Sequence, residues 1–321
     1  MKKKIYFITG GTGSFARKFI EILIKKKLAK KIIIYSRDEF KQFELKNEKF
    51  IQKNINIFRF FIGDVRDKER LNFAIIDDVD VVIHTAALKQ VPATEYNPFE
   101  TVKTNIIGAQ NIIEVCLEKN IPKIIALSTD KAAAPINLYG ATKLTADKLF
   151  TSANHFRGKK DCKFSVVRYG NVMGSRGSVI PLLLEQSRTQ NYLTVTDKDM
   201  TRFNITLEKA VSFVLESLNF MKGGEIFIPK MPSYKILDVV KAVNKDLKIK
   251  FIGIRPGEKI HEELITESDS LNTIEKKSYY TILPSYKKSS KKNKVFSYNS
   301  KNNKIFLSIK EIKTLINSLQ K

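Results

Sequence analysis

Tyr139 and Lys143 stand four residues apart in the run YGATK. On a helix, positions i and i+4 share one face. An ammonium beside a phenol stabilises the tyrosinate, so this tyrosine is expected below its ordinary pKa of about 10. Such a group is a base for a sugar hydroxyl during hydride transfer. The same lysine can hold a nicotinamide ribose. Upstream lies Ser128-Thr129-Asp130-Lys131. An alcohol oxidation needs one hydroxyl there, such as Thr129. An adjacent acid and amine offer more: Asp130 to protonate a leaving hydroxyl, Lys131 to remove a carbon-bound proton. That pair suits β-elimination beside a newly formed ketone. The bland alternatives are a surface tyrosine and lysine on an amphipathic helix, and an exposed Asp130–Lys131 ion pair in a loop.

A phosphate cradle stands where this chemistry needs one. Thr9 to Ala16 reads TGGTGSFA, with Gly10, Gly13 and Ala16 in a G-x-x-G-x-x-A frame. It follows an apolar run and opens a helical one. Glycines allow a tight turn and bring backbone N–H groups of Thr12, Gly13, Ser14 and Phe15 towards a pyrophosphate at a helix N-terminus. The next apolar run ends in Ser36-Arg37-Asp38. An acid at this place binds a ribose 2′-hydroxyl and favours NAD; an arginine accommodates a 2′-phosphate and favours NADP. Arg37, with Lys41 one turn on, points to NADP(+), and Asp38 leaves NAD open. Asp64 and Val65 suit an adenine contact. Thr85 and Ala86 offer small side chains where a cofactor lies close.

These residues need elements to position them. Apolar runs at Lys4–Thr9, Lys31–Tyr35, Ile57–Ile62, Val79–His84, Ile124–Leu127 and Phe164–Val167 predict six strands. Helical patterns at 14–27, 98–119 and 139–151 fall between them. Strands alternating with helices imply an α/β fold, a Rossmann-type doubly wound parallel sheet. After about residue 170 the rhythm breaks into shorter pieces: strands at 193–195, 225–228 and 250–254, helices at 207–218, 236–243 and 259–264. The expected organisation is a nucleotide-binding domain over 1–170 and a smaller mixed C-terminal substrate lobe over 171–285, with some chain returning to the first sheet. A lysine-rich tail over 286–321 follows, read as mobile from 287 to 304 and ending in a short amphipathic helix.

Composition narrows the partners. The chain has 321 residues, 43% of them hydrophobic, enough for a sizeable core. The net charge of +24 invites a nucleic-acid reading. Residues 276–321 alone carry twelve lysines against one acid, Glu311, and only 11 of the 57 basic residues are arginine. Base-edge readout favours arginine, so no nucleic acid is expected. The two cysteines, Cys116 and Cys162, make no disulfide framework and read as thiols of a reducing compartment. No apolar run reaches the ~20 residues of a membrane span, and no signal peptide is read at the start. A cytoplasmic enzyme acting without a metal is expected.

With these motifs in place, the sequence resembles the extended short-chain dehydrogenase/reductases. Within them it is similar to the short, inverting UDP-N-acetylglucosamine 4,6-dehydratases of pseudaminic acid biosynthesis, which serves flagellin glycosylation. The resemblance runs from about Lys4 to Thr266, through TGGTGSFA, YSRDE, FFIGDVRD, HTAALKQVPATEYNP, ALSTDKAAAPINLYGATK, VVRYGNVMGSRGSVIP, MTRF and IRPGEK. It implies tightly held, recycled NADP(+) and UDP-N-acetylglucosamine as substrate. Tyr139, assisted by Lys143, takes the 4-hydroxyl proton as hydride leaves C4. Lys131 takes the C5 proton, and Asp130 with Thr129 expels the 6-hydroxyl as water. Hydride returns to C6, and C5 is reprotonated on the opposite face, giving UDP-2-acetamido-2,6-dideoxy-L-arabino-hexos-4-ulose. The resemblance places Lys89, Ser128, Asn171 and the Gly177-Ser178-Val179 turn in the substrate cleft. It places Arg202, Arg255 and Glu258 at the diphosphate end. It also implies a homo-oligomer, a dimer-based hexamer. Ala16, Thr85, Gln90, Ala134 and the lysine-rich end depart from the family pattern.

Two rivals remain. A UDP-sugar 4-epimerase would share the cradle and the Tyr139–Lys143 pair but has no need of Asp130-Lys131. A non-catalytic NADP- or nucleic-acid-binding protein on this fold would tolerate degraded catalytic positions.

Overall fold

The computed structural model describes residues 3–76, 78–174, 178–287 and 294–319. Its centre is a nine-stranded sheet. Six parallel strands form most of it: β1 (Lys4–Thr9), β2 (Ala29–Ser36), β3 (Phe58–Ile62), β4 (Val81–His84), β5 (Lys123–Thr129) and β6 (Lys163–Tyr169). Their order is β3-β2-β1-β4-β5-β6. The central strands are continuous apolar runs because helices cover both faces of a parallel sheet. Ile32, Ile33, Ile34, Ile124 and Ile125 are wholly buried. The chain reverses direction across the sheet between β1 and β4, which pair side by side. A crevice opens at such a switch point, beyond the carboxyl ends of the strands.

Two helices beside the crevice begin on side-chain caps that the sequence supplies. Asp38 accepts from the Lys41 N–H at 2.9 Å and starts α2 (Glu39–Lys46). Asn137 accepts from the Gly140 N–H at 2.7 Å and starts the Leu138–Phe156 helix, which carries Tyr139 and Lys143. By contrast α1 (Ser14–Lys25) begins at Gly13 with no side-chain cap. Its first N–H groups face the crevice. The helical stretch expected over 98–119 contains a π turn at Lys103–Ile107 between two α segments.

Three later strands extend the same sheet. Ile226–Pro229 pairs parallel with β6, Tyr279–Ile282 runs antiparallel to it, and Thr273–Glu275 forms the edge. The remaining strands make small sheets: Asn171–Val172, Thr201–Ile205 and Ser233–Lys235 in one, Tyr192–Val195 with Lys248–Phe251 in another. They cover a second apolar cluster that includes Leu183, Leu193, Met200, Tyr234, Val239 and Val240.

Two expectations are corrected here. Residues 259–264 form no helix; the chain is extended and enters the Glu263–Ile265 strand. Extended backbone sends alternate side chains inward, and Glu262 and Leu264 are both buried. The lysine-rich end is not a free tail over its described part either; 288–293 lie outside the described residues. Tyr298–Asn299 pairs antiparallel with Glu263–Ile265. Tyr298 and Ser300 are buried, and Ile312 and Ile316 of the last helix, Ile309–Leu319, complete the second cluster.

Candidate active site

A cleft of about 630 Å3 runs along the carboxyl ends of β1 to β6. At one end is the glycine turn. Gly10 has φ +62°, and a Cβ there would lie 2.8 Å from Thr85 Oγ1 and 2.9 Å from the Ala86 nitrogen. Only glycine fits a left-handed position packed this closely. The Thr9 hydroxyl braces the turn from β1. It accepts from the Thr85 N–H at 3.1 Å and the Ala86 N–H at 3.3 Å. The Thr85 hydroxyl donates to the Thr9 carbonyl at 2.7 Å. The result is a rigid cradle whose free N–H groups suit a pyrophosphate. Thr12, Gly13, Ser14 and Phe15 line it, but the Gly13 N–H is taken by the Gly10 carbonyl at 2.9 Å.

Ser36, Arg37, Asp38, Lys41, Asp64 and Val65 line the cleft beyond β2 and β3. The Asp38 carboxylate already caps α2 and binds the Lys41 ammonium at 2.6 Å. Asp64 accepts from Arg66 Nε at 2.8 Å and lies 3.5 Å from Arg37 Nη1. Burial raises its carboxyl, but the Arg66 hydrogen bonds and the Arg37 charge outweigh that and hold it below the usual carboxylate range. Arg37 itself is exposed.

Ser128, Thr129, Asp130, Lys131, Tyr139 and Lys143 meet midway along the cleft. The end of β5 delivers the first four, and the Leu138–Phe156 helix delivers the other two. Gly140 lets the two elements touch, since a Cβ there would lie 2.2 Å from the Lys131 carbonyl oxygen. Thr129 donates to Asp130 Oδ1 at 3.0 Å and is hydrogen-bonded to Tyr139. Lys131 Nζ donates to the same Asp130 oxygen at 3.1 Å.

The electrostatics depart from the expectation for Tyr139. Burial pushes its phenol up to about 12, against the Lys131 charge and the Thr129 hydrogen bond. The Lys143 ammonium is occupied elsewhere: it donates to the Leu127 carbonyl at 2.7 Å. Burial lowers Lys143, with Asp147 opposing. Burial raises Asp130, and the nearby Glu262 charge adds to that against Lys131 and Thr129. Burial works against the Lys131 ammonium, but Asp130 and Glu262 outweigh it, so it stays above the ordinary lysine value.

Lys89, Asn171 and Ser178 line the far side of the cleft. Burial lowers the Lys89 ammonium. Asn171 Oδ1 and Ser178 Oγ are buried without a hydrogen-bond partner, as groups awaiting a polar ligand would be. Gly177 lies outside the described residues. Val179 starts the Val179–Thr189 helix and packs on the second cluster rather than lining the cleft.

Arg202, Arg255 and Glu258 do not line this cleft either. Arg202 is buried, with Nη1 donating to the carbonyls of Thr201 at 2.7 Å and Ile260 at 3.0 Å. Arg255 is exposed on a loop, and Glu258 Oε2 is buried there without a partner. Asn137, the cap of the tyrosine helix, anchors that loop by donating to the Gly257 carbonyl at 2.8 Å.

Sequence reasoning missed Arg17, Tyr169 and Gly170 in the cleft wall, and Glu262 behind it. Glu262 Oε1 accepts from Lys131 Nζ at 2.9 Å. Reading HEEL as extended would have turned Glu262 inward. Among the described residues no cluster of three or more potential metal ligands occurs, and no helix is long and apolar enough to cross a membrane.

A UDP-N-acetylglucosamine 4,6-dehydratase (inverting) of Campylobacter jejuni is 51% identical over 98% of this chain and 98% of its own length. A UDP-glucose 4-epimerase of Rickettsia bellii is 40% identical over 87% of this chain and 82% of its own. The solved structure of Pen from Bacillus thuringiensis is 38% identical, with a TM-score of 0.90 over 99% of both chains. The model of the family described as polysaccharide biosynthesis protein matches residues 6–284, and the chain belongs to that family.

Proposed function

We propose that this protein is a UDP-N-acetylglucosamine 4,6-dehydratase that inverts C5, the type of enzyme that opens pseudaminic acid biosynthesis. The observation that carries the reading is the junction of Tyr139, Thr129, Asp130 and Lys131 in one cleft with the glycine cradle. The Campylobacter jejuni relative bears the name of this activity over nearly its whole length. An epimerase shares the cradle and the tyrosine, but Asp130 and Lys131 give this cleft an acid and an amine beside the tyrosine.

The cradle suits a dinucleotide, and NADP(+) bound there supplies a hydride acceptor that can later return the hydride. Arg37 and Lys41 would face its 2′-phosphate, since Asp38 is already engaged as a helix cap. Tyr139 Oη takes the proton of the sugar 4-hydroxyl. Its own proton leaves by way of the Thr129 hydroxyl, which already donates to Asp130 Oδ1. The ketone formed at C4 acidifies C5. Lys131 Nζ, having released its own proton to solvent across its 25% exposed side, takes the one from C5. The protonated Asp130 gives its proton to the departing 6-hydroxyl, and water leaves. Asn171 and Ser178 offer unpaired polar atoms to orient the sugar.

The residues around the second apolar cluster serve as a substrate lobe in this reading, and the loop that carries Arg255 and Glu258 would have to move to meet the diphosphate, since neither lines the cleft. A homo-oligomer is part of the proposal. Tyr96, Phe99 and Ile107 are 85%, 66% and 46% exposed on consecutive helical segments, and a second copy would cover them. A cytoplasmic enzyme agrees with two buried free thiols.

The test is NMR of the purified protein with UDP-N-acetylglucosamine in heavy water. A 6-deoxy-4-keto product with deuterium at C5 and L-arabino configuration is expected. Retained D-xylo configuration removes the inversion, and conversion only to the galacto epimer selects the epimerase.

A further inference from the structure

Lys131 is gripped from two sides. Its Nζ donates to Asp130 Oδ1 at 3.1 Å within the same turn, and to Glu262 Oε1 at 2.9 Å from a distant part of the chain. Glu262 is 2% exposed, and its Oε2 has no hydrogen-bond partner. A buried carboxylate with a free oxygen is costly unless neighbouring charges compensate. Arg202 Nε lies 3.7 Å from Glu262 Oε1. The backbone of Glu262 is fixed as well. Its N–H donates to Ser300 Oγ at 2.9 Å, and its carbonyl accepts from the Ser300 N–H at 2.7 Å. Ser300 belongs to the lysine-rich end and is itself bonded to the Thr201 hydroxyl at 2.7 Å.

We propose that Glu262 is a positioning residue: held in place by Arg202 and Ser300, its carboxylate fixes the Lys131 amine opposite Asp130 and sets the pH window in which that pair exchanges protons with the substrate. This rests on the dehydratase reading.

The charged and titratable groups that face Lys131 come from several elements. Asp130 lies in its own turn and Tyr139 on the tyrosine helix. Arg202 and Tyr234 come from the small three-stranded sheet, and Lys259 and Glu262 from the segment entering the Glu263–Ile265 strand. Of these, Asp130 and Glu262 touch the amine. An anion in contact stabilises every protonated form of the Asp130–Lys131 pair. Removing that charge while keeping the shape makes both protons of the pair easier to lose. Both limbs of the pH–rate profile then move to lower pH.

The experiment compares the full-length wild type with Glu262→Gln and Glu262→Asp. The first readout is kcat/KM against pH with UDP-N-acetylglucosamine. In Glu262→Gln both limbs are expected to move down by on the order of one to two pH units. In Glu262→Asp the limbs stay in place while kcat falls, because the charge remains but the reach is shorter. The second readout needs neither substrate nor cofactor. It is the pH at which acetic anhydride begins to acylate Lys131, followed by peptide mass spectrometry. The Lys131 side chain is 25% exposed, so the reagent reaches it. The onset is expected at lower pH in Glu262→Gln by the same shift. A packing role alone would lower the activity and Tm of Glu262→Gln with limbs and onset unmoved, and that result overturns the proposal. Should Glu262→Gln fail to fold, unchanged kcat in Glu262→Asp overturns it equally. A wild type inert towards UDP-N-acetylglucosamine removes the dehydratase reading but leaves the acylation onset to judge the Glu262–Lys131 contact.

Discussion

Lys143 donates its ammonium to the carbonyl of Leu127 at 2.7 Å, one turn along the helix from Tyr139. The lysine therefore ties the tyrosine helix to the end of β5. The cation that eases proton loss from Tyr139 is Lys131, and the hydroxyl that helps it is Thr129. Thr129→Val cuts the path by which Tyr139 passes its proton to Asp130 Oδ1. A phenol raised by burial and lacking that path is deprotonated less often at neutral pH. Turnover at pH 7 should fall by roughly ten- to a hundredfold and keep climbing with pH beyond the wild-type plateau. Steady-state rates from pH 6 to 10 check this. Equal rates at pH 7 would separate Thr129 from the proton path.

Gly10→Ala attacks the cradle from both directions. The substituent would sit 2.8 Å from Thr85 Oγ1 in a backbone at φ +62°. Left-handed backbone costs a non-glycine residue about 1–2 kcal/mol, and the contact adds to that. Stability in urea should drop by about 2 kcal/mol or more. NADP(+) binding, followed by calorimetry, should weaken at least tenfold. A variant that binds as tightly as wild type would place the pyrophosphate elsewhere.

Arg37 is exposed beside the cleft, while Asp38 is engaged by the Lys41 N–H and ammonium. Arg37→Ala should therefore weaken NADP(+) binding by roughly ten- to a hundredfold and leave NAD(+) binding within about twofold, since charge-assisted bonds to a phosphate are the strong ones. Calorimetric titration with both nucleotides decides it. A parallel loss for both would mean Arg37 serves the fold of the β2 end rather than the 2′-phosphate.

His84 gives the cradle a pH dependence. The Thr9 hydroxyl accepts from two N–H groups, of Thr85 and Ala86, so its own proton goes to His84 Nδ1 at 2.9 Å. That bond requires a neutral imidazole. Burial lowers His84 to about 3, with the Lys143 charge adding. The unfolded chain binds the proton near its ordinary value of about 6.5 while the folded protein refuses it. A depressed folded value means the stability is whole above 6.5 and is lost as the pH falls. The loss should approach about 1.4 kcal/mol per pH unit between 6.5 and 4.5, above the range where most carboxylates titrate. Urea melts of wild type and His84→Asn across that window measure it. The difference in slope isolates His84, and parallel slopes would sink the assignment.

Much of this was legible because parallel strands write themselves as unbroken apolar runs. The cradle, the β2 end and the Thr129–Lys143 chemistry all sit at the boundaries of such runs, where sequence reading is strongest. What failed depends on partners far along the chain. Nothing within residues 259–264 says that Glu263–Ile265 will pair with Tyr298–Asn299, so a six-residue stretch without decisive periodicity reads as helix. That reading concealed Glu262. Composition likewise marked the lysine-rich end as solvated, although Tyr298, Ser300, Ile312 and Ile316 within it are buried. The Tyr139–Lys143 spacing does fall on one helix, Leu138–Phe156. It could not show that Leu127 would claim the ammonium or that burial would outweigh charge.

Arg168 on β6 is 1% exposed and joins the parts of the site from beneath. Its Nη2 meets Asp147 Oδ2 at 3.1 Å, one turn beyond Lys143, and its Nη1 donates to the Leu264 carbonyl at 3.0 Å. Ser128 donates to the same Asp147 oxygen at 2.8 Å. One guanidinium thus links β6, the tyrosine helix, the end of β5 and the strand that follows Glu262. Breaking a buried pair from one side leaves the other charge unpaired, at a cost of about 3–5 kcal/mol. Arg168→Met should therefore destabilise the protein by about that amount in urea. The double variant Arg168→Met with Asp147→Leu should recover part of the loss, because no buried charge is then orphaned. Its stability returns without its activity: with Asp147 gone, Ser128 loses its acceptor and Lys143 its neighbouring anion, so turnover should stay low. Equal losses in the single and double variants would mean that Arg168 acts through shape alone.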